Sequence, residues 1–373
     1  MGGPELPVRR RTAAWVRDRA ALLGVLALVG LADVSGAVTS IFAPDPKPAS
    51  CAPAEPAAVL VDESTPAIEG DPVPKYAPLV HLERQEAHFP MPAECFLAHS
   101  VLSWARLSAR DDEQIEPLSE VDADRLGGAG GGYEFDDEGV FRSHEFTRPF
   151  ASDRARLSGR RGFYLDVEDR FRFGAAPPAT EPGVFSGSPV YYEFAPGRYV
   201  TYWFFFGFSA PAGTKSAVAG VVGHEGDWER VTVRLSGKIA TDVAYYQHGG
   251  EPQQIPYAAV AKRGTHPIVY SGRGSHASYP TAGLQRKFVD HTGLGQEWRT
   301  WEFLADATKQ PWFRYGGAWG VVRLVPKKLQ VVAKLGPGEF TGPSGPCSKK
   351  PAPNDWLLDA AVPPPGPGVC APR

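Results

Sequence analysis

The sequence has little methionine and almost no excess charge of either sign. Its 373 residues include only 2 methionines, and 39 basic against 42 acidic side chains give a formal net charge of −3. This balance provides no global electrostatic attraction to nucleic acid, so we expect no nucleic-acid partner. The chain also lacks a close Cys-x-x-Cys pair and a Gly-x-Ser-x-Gly elbow. These absences argue against a cysteine-built zinc site and against a serine hydrolase.

Long apolar runs are missing as well, with one exception near the N-terminus. The apolar stretch 20–32 follows a basic region that contains Arg9, Arg10 and Arg11, and small residues follow at 35–37. This order is typical of a secretory signal, and the run is short for a membrane span. We therefore predict that residues 1–37 form a signal peptide, or a signal anchor if they are not cleaved. The expected location is secreted or in the cell envelope, and membrane-anchored in the second case.

The four cysteines agree with export. Cys51, Cys95, Cys347 and Cys370 all follow the predicted signal and are widely spaced. An even, dispersed set in an exported protein is typical of structural disulfides. The sequence predicts two disulfide bonds and leaves their three possible connectivities open.

Glycine and proline are abundant, with 41 and 37 residues. They favour short strands and many turns over long helices. Residues 38–75 are predicted to be a Pro/Ala-rich linker and 336–373 a Gly/Pro-rich tail. Between them, 76–335 is predicted to be the β-rich core. We expect a mainly β fold, a single β-sandwich-like domain with few short helices.

The stretch 222–235 joins a polar cluster to the alternating pattern of a strand. If the strand begins near Asp227, then Asp227 and Glu229 share a face with the alternate apolar residues that follow them, and Trp228 lies on the other. Buried carboxylates need a cation, an arginine or several donors. Because His224 lies just before them, His224, Asp227 and Glu229 are predicted to bind a divalent cation.

Five of the nine histidines fall between residues 224 and 291, each near a predicted strand end or turn. Functional residues concentrate on such loops. The further residues predicted to line a pocket with the three cation ligands are His248, Arg273, Ser275, His276, Asp290 and His291. No residue is assigned a catalytic role. Within this set, the turn at 272–276 could also receive an anionic group such as phosphate.

Several kinds of site remain open for these residues. The carboxylates favour Ca²⁺ or Mg²⁺. A set richer in histidine would suit Zn²⁺ or Mn²⁺ and could activate water for hydrolysis. Metal-free acid–base chemistry is a further alternative. The last is a buried polar network in which Arg230 or Arg273 neutralises the carboxylates.

Several motifs resemble the family named after vacuolar protein sorting-associated protein 62. They are His-Glu-Gly-Asp-Trp-Glu-Arg-Val-Thr-Val from His224, Tyr-Tyr-Gln-His-Gly-Gly from Tyr245, Gly-Thr-His-Pro-Ile-Val-Tyr from Gly264 and Gly-Ser-His-Ala-Ser-Tyr-Pro from Gly274. The resemblance spans roughly 77–322. It implies no settled biochemical activity.

The heptad 223–229 is also similar to the Gly-His-Arg-His-Asp-Trp-Glu motif of necrosis-inducing toxins secreted by microbes. In those β-sandwich proteins the matching His, Asp and Glu help to hold a divalent cation used in damaging sphingolipid-bearing membranes. The resemblance therefore implies that His224, Asp227 and Glu229 are cation ligands. Glu225 and Gly226 replace the Arg-His pair of the toxins, so the resemblance supports the cation site and does not extend to the toxin activity.

Taken together, the residues and resemblances predict an exported protein with a divalent-cation site. Its expected partner is a surface glycan or a membrane-lipid headgroup, which it binds or acts upon. One alternative is a metal-dependent hydrolase. The other is a non-catalytic trafficking or structural module. Neither a protein partner nor a substrate can be named from the sequence.

Overall fold

The computed structural model describes the ordered core and part of the C-terminal region. The described residues are 70–105, 113–116, 121, 126, 162–168, 170–171, 183–185, 187–210, 223–248, 251–286, 290–315, 317–321, 342–349, 351–353 and 356. The predicted signal at 1–37, most of the predicted linker, Cys51 and Cys370 lie outside them. No helix within the described ranges is long and apolar enough to cross a membrane.

The fold is mainly β, with several sheets and few short helices, as the sequence predicts. The α-helices are α1 (Pro72–Tyr76) and α2 (Ala93–Ala98). The strands are β1 (Leu79–His81), β2 (Ser100–Ala105), β3 (Glu113–Glu116), β4 (Gly162–Val167), β5 (Val184–Phe185), β6 (Val190–Ala195), β7 (Gly197–Ser209), β8 (His224–Gly237), β9 (Ile239–Tyr245), β10 (Gln253–Pro256), β11 (Lys262–Arg263), β12 (His266–Ser271), β13 (Ser278–Tyr279), β14 (Gly283–Gln285), β15 (Asp290–Thr292), β16 (Glu297–Arg299), β17 (Leu304–Asp306) and β18 (Ala318–Trp319). The 3-10 helices are Tyr257–Ala259, Thr300–Glu302, Ala307–Lys309, Pro311–Arg314 and Pro346–Ser348.

The longest strands lie in a six-stranded sheet with the order β10-β9-β8-β7-β6-β17. A second sheet has the order β11-β12-β1-β16-β5, with β13 also paired to β12. A four-stranded sheet, β18-β4-β2-β3, and the two-stranded β14-β15 complete the described strands. Most of the central sheet is antiparallel, because β6, β7, β8, β9 and β10 follow one another along the chain through short connections.

Strand β7 is buried on both faces, which explains its run of aromatic residues. Trp203 and Phe205 belong to one hydrophobic cluster, whose core also includes Trp228 and Trp319; we call it the Trp cluster. Tyr202, Phe204 and Phe206 point to the opposite face and belong to the Val cluster, which contains the valines of β7, β8, β9 and β12. Strand β7 is therefore a central strand covered on both faces.

Strand β8 carries its carboxylates on the face that the sequence predicts. Asp227 lies opposite Phe206 and Glu229 opposite Phe204 in the β7–β8 ladder. Directly opposite residues of an antiparallel pair project to the same face. Both carboxylates therefore face the side of the Val cluster, while Trp228 is fully buried in the Trp cluster. Trp228 is thus a packing residue, as predicted.

The pairing of β8 differs along its length. On the side of β9 the ladder runs from Val231 to Ser236, and no described strand pairs with 224–230 there. Instead β9 ends at Tyr245 and the chain turns away toward His248. The first half of β8 therefore has one sheet neighbour, β7, and an open edge near both carboxylates.

Part of the predicted tail packs onto this sheet. Trp319 donates its main-chain N–H to Pro343 O at 2.8 Å, and Ala352 and Trp356 pack with Ala244 in a small apolar cluster.

The described residues include no free cysteine, and both Cys95 and Cys347 pack against the Trp cluster.

Candidate functional site

The site begins at a tight main-chain contact at the start of β8. Gly226 has φ +60, and a Cβ at this position would collide with the main-chain carbonyl of Trp319. Glycine is required at this position because it adopts a positive φ without strain and has no Cβ to collide with Trp319. This contact anchors the His-Glu-Gly-Asp segment against β18 and fixes where the side chains of 224 and 227 emerge.

His224 is oriented by the main chain. Its Nδ1 lies 2.8 Å from Gly226 O and 3.3 Å from Glu225 O. A carbonyl only accepts hydrogen bonds, so Nδ1 is the donor and carries the proton. In the neutral ring Nε2 then holds the lone pair, which is the arrangement that metal-ligating histidines adopt when a carbonyl fixes their other nitrogen. The strand begins at His224 itself, three residues earlier than predicted.

Asp227 is buried and held by His276. The His276 Nδ1 donates to Asp227 Oδ2 at 2.9 Å, and its Nε2 lies 3.7 Å from Glu86 Oε1. The imidazole is fully buried and stacks on Phe206, with ring centroids 3.8 Å apart and planes 5° apart. His276 therefore bridges two buried carboxylates, one from the β8 motif and one from the loop after β1.

The electrostatics of this bridge favour a charged imidazole. Burial alone would lower the pKa of His276, but its hydrogen bond to Asp227 and the charges of Asp227 and Glu86 outweigh burial and raise the pKa to about 9. Burial would raise the pKa values of Asp227 and Glu86, and His276 reverses this effect, so both pKa values lie below their ordinary range. Both carboxylates are thus ionised on either side of an imidazolium at neutral pH.

Glu229 behaves in the opposite way. Burial, reinforced by the charge of Asp227, raises the pKa of Glu229 to about 8 against the favourable charges of Lys349, His248 and Arg230. Neutral Glu229 beside ionised Asp227 is the expected result when two carboxylates are held close in a desolvated place. A bound cation would stabilise the ionised form of both.

Lys349 supplies a positive charge from the C-terminal region. Its Nζ donates to Trp228 O at 2.6 Å, and burial lowers its pKa to about 8 while Glu229 and Asp227 oppose that shift. The guanidinium of Arg230, one of two arginines proposed above to neutralise the carboxylates, stacks on the Tyr246 ring with its carbon 3.7 Å from the centroid, and its charge makes only a small contribution to the pKa of Glu229.

A second hydrogen-bonded group is formed by residues of β13, β15 and the turn after β9. Asp290 Oδ2 accepts from His248 Nε2 and from the Tyr279 hydroxyl, each at 2.6 Å. Burial opposes ionisation of Asp290, but His248, Tyr279 and Ser275 hold its pKa below the ordinary value. Burial would lower the pKa of His248, and Asp290, with smaller contributions from Glu229 and Asp227, raises it. The charge of His248 therefore affects the pKa of Glu229, and the charges of Glu229 and Asp227 affect the pKa of His248.

Two histidines of the site adopt a backbone conformation that is unusual for non-glycine residues. His248 has φ 47 and His276 has φ 55, and these are the two positive-φ residues other than glycine in the described ranges. Such strain concentrates where a fold positions functional side chains. Each of the two is held by a carboxylate, Asp290 and Asp227 respectively.

The turn at 272–276 is occupied by the chain itself. Gly274 N donates to Glu86 Oε2 at 2.7 Å, so the turn that was predicted to receive an anionic group holds the Glu86 carboxylate. The Arg273 guanidinium contacts Gln85 and lies 4.0 Å from Glu83 Oε2. It therefore does not neutralise the motif carboxylates.

Two predicted pocket residues remain, Ser275 and His291. Ser275 lies close to the group formed by His248, Tyr279 and Asp290, and His291 lies at the edge of this group. The Ser275 side chain lies beside Asp290 and helps to lower its pKa. The His291 side chain is exposed on β15, and its carbonyl accepts from Arg273 N at 2.8 Å. His291 is thus a main-chain support for the neighbouring turn in this structure.

The donor types fit a cation, whereas the spacing of the side chains is not that of a formed metal site. Among the described residues, no group of three or more His, Cys, Asp or Glu side chains is arranged to hold a metal ion. Sequence reasoning missed three members of the site: Glu86, Tyr279 and Lys349. Glu86 and Lys349 are distant in the chain from the motif, and Tyr279 carries no spacing signal.

Comparison with known proteins supports the family resemblance. Residues 196–310 match the family model for vacuolar protein sorting-associated protein 62. The match confirms the resemblance drawn from the motifs, over a shorter range, and it includes every predicted site residue. No curated protein matches the chain.

One solved structure is similar to part of the chain. It is necrosis and ethylene inducing protein 2 from the causal agent of cocoa's witches' broom disease, 15% identical, with a TM-score of 0.27. The similarity covers 64% of this chain and 73% of that one. At this TM-score no residue role is transferred from it.

Proposed function

We propose that this is an exported protein whose site at the start of β8 binds a divalent cation, and that the cation recognises a surface glycan or a lipid headgroup. The ligands would be His224, Asp227 and Glu229, with Ca²⁺ or Mg²⁺ favoured over Zn²⁺ or Mn²⁺ because two of the three donors are carboxylates. Phosphate and vicinal hydroxyl oxygens, the polar groups of such partners, are suitable further ligands for a hard cation.

The orientation of His224 carries this proposal. Its Nδ1 donates to Gly226 O at 2.8 Å, which directs the lone pair to Nε2 in the neutral ring. Its charge when protonated acts on Asp227, so the ring lies near that carboxylate. Asp227 is in turn fixed by His276 at 2.9 Å, so two of the three proposed ligands are held by other groups of the chain.

Glu229 completes the set through its position on the same face as Asp227. Its raised pKa, about 8, reflects burial and the neighbouring charge of Asp227. A divalent cation would offset both effects, and binding would release the Glu229 proton. Binding is therefore expected to tighten as pH rises from 6 to 9.

The test is cation binding by the secreted protein and by Asp227→Asn. Calcium, magnesium, zinc and manganese are titrated separately by calorimetry, and retention on glycan arrays and on vesicles with defined headgroups is measured with and without EDTA. We expect cation-dependent retention that Asp227→Asn abolishes. A variant that keeps the wild-type metal content and thermal stability in the presence of metal would refute the cation site.

A metal-dependent hydrolase is the second candidate, and the His248–Asp290 contact favours it. A histidine held by a carboxylate at 2.6 Å has the geometry of an oriented base, and Tyr279 donates to the same oxygen. Turnover of phosphodiester or ester panels that EDTA abolishes and His248→Gln reduces would support this candidate. Retention on arrays without any product would exclude it in favour of binding alone.

A further inference from the structure

The C-terminal residues 342–349 and 351–353, which we call the C-terminal strap, are held on both sides of Lys349, by β18 before it and by β7 and β8 after it. Before it, Pro343 O accepts from Trp319 N at 2.8 Å. After it, Pro351 O accepts from the Thr232 hydroxyl at 2.7 Å and also from Thr201. The path of the strap over β7 and β8 is therefore set by several contacts that do not involve Lys349.

This path brings the Lys349 ammonium to the open edge of β8. The Nζ donates to Trp228 O at 2.6 Å, and Trp228 lies between Asp227 and Glu229 in the strand. The contact is possible because β9 pairs only from Val231 onward, which leaves the edge at Trp228 without a strand neighbour on that side among the described residues.

The ammonium acts on the same two carboxylates that the proposed cation would use. Its Nζ is hydrogen-bonded to the carbonyl of Trp228, the residue between Asp227 and Glu229, so its positive charge lies beside the stretch of β8 that carries both carboxylates. A single ammonium supplies one positive charge, whereas a divalent cation would supply two. A lysine so placed both substitutes for part of the cation's charge and repels the cation itself.

We propose that Lys349 is a built-in counter-cation of the β8 site, so that the C-terminal strap limits how tightly a divalent cation binds to Asp227 and Glu229. This inference rests on the proposed function, because it concerns the same carboxylates.

The inference is tested by removing the charge while keeping the strap. Lys349→Met removes the ammonium, and Lys349→Gln removes the charge but retains a donor for Trp228 O. Ca²⁺ and Mg²⁺ dissociation constants are measured by calorimetry on the full secreted chain at constant pH and ionic strength. The matched control is Lys309→Met, because Lys309 is exposed and pairs with Asp306 at 3.6 Å.

We expect both Lys349 variants to bind the cation at least tenfold more tightly than wild type, a change of about 1.4 kcal/mol. Lys309→Met should match wild type, and adding Asp227→Asn to either Lys349 variant should abolish the gain. If the Lys349 variants bind no more tightly while wild-type binding depends on Asp227, the inference fails and the proposed function stands. If no variant shows Asp227-dependent binding, both fail. Thermal unfolding of each variant establishes that it is folded.

Discussion

Replacing His276 by asparagine should change how the stability of the protein depends on pH. Asparagine tolerates the positive φ of this position and can donate to Asp227, but it cannot carry a charge. His276 lies between Asp227 at 2.9 Å and Glu86 at 3.7 Å with no exposed side-chain surface. The variant therefore removes the positive charge from between two buried carboxylates.

The expected size follows from the pKa of the imidazole. In the folded protein the pKa of His276 is raised to about 9, against the ordinary value of 6.5. A histidine whose pKa is raised in the folded protein stabilises the fold at pH values below its unfolded pKa. This stabilisation is lost as the pH rises through the folded pKa. The difference of about 2.5 units corresponds to about 3 kcal/mol at 1.36 kcal/mol per unit. That contribution should be present at pH 6.5 and gone near pH 10.

The assay is urea unfolding of wild type and His276→Asn in EDTA at intervals from pH 6.5 to 10. The stability advantage of wild type should shrink by about 3 kcal/mol across this range. His266→Asn is the control. Burial lowers the pKa of His266 below 6.5, so this residue stays neutral in the folded protein between pH 6.5 and 10. Parallel curves for wild type and His276→Asn would refute the charged bridge. On the acid side the advantage should also shrink as Asp227 and Glu86 are protonated, since their pKa values are lowered by the same contacts.

Three further predictions concern other parts of the site and the core. The pKa of Glu229 is raised to about 8, so protonated Glu229 stabilises the fold below pH 4.5 and this stabilisation is lost as pH rises through 8. Glu229→Gln should therefore have a higher Tm than wild type at pH 8.5 in EDTA. The variant should also lose any rise in Tm that Ca²⁺ produces in wild type. Gly226→Ala should cost at least about 2 kcal/mol in the free energy of unfolding, because strain and a main-chain collision add, whereas Gly264→Ala at a similar φ has open space and should cost about 1 kcal/mol. We also propose that Cys95 and Cys347, which pack against the same cluster, form a disulfide; non-reducing peptide mapping should recover them linked, and two free thiols would contradict it.

The strand pattern of the core could be predicted well because its hydrophobic periodicity is strong. Alternation along β8 correctly placed Asp227 and Glu229 on the same face as the apolar residues that follow them, and this face packs into the Val cluster. Strand β8 begins at His224, three residues before the predicted start near Asp227, because Gly226 lies within the strand in a positive-φ conformation that the alternating pattern does not record.

The partners inside the site could be predicted only in part. The sequence predicts that His276 lines a pocket with Asp227, and the structure places the two in contact. Its bridging role also depends on Glu86, which comes from the loop after β1. Lys349 lies in a stretch whose composition indicates a tail. Such contacts join segments more than a hundred residues apart, and neither periodicity nor local spacing records them.

The four tryptophans of the Trp cluster have a consequence for measurement. The rings of Trp228, Trp312 and Trp319 lie 5.1 to 5.5 Å apart, and Trp203 belongs to the same cluster. Indole rings this close, in fixed tilted and edge-to-face orientations, should couple optically and give a strong near-ultraviolet circular dichroism band. Because Trp228 is bonded to Lys349 through its carbonyl, that band offers a label-free signal of whether the strand end beneath the strap has moved.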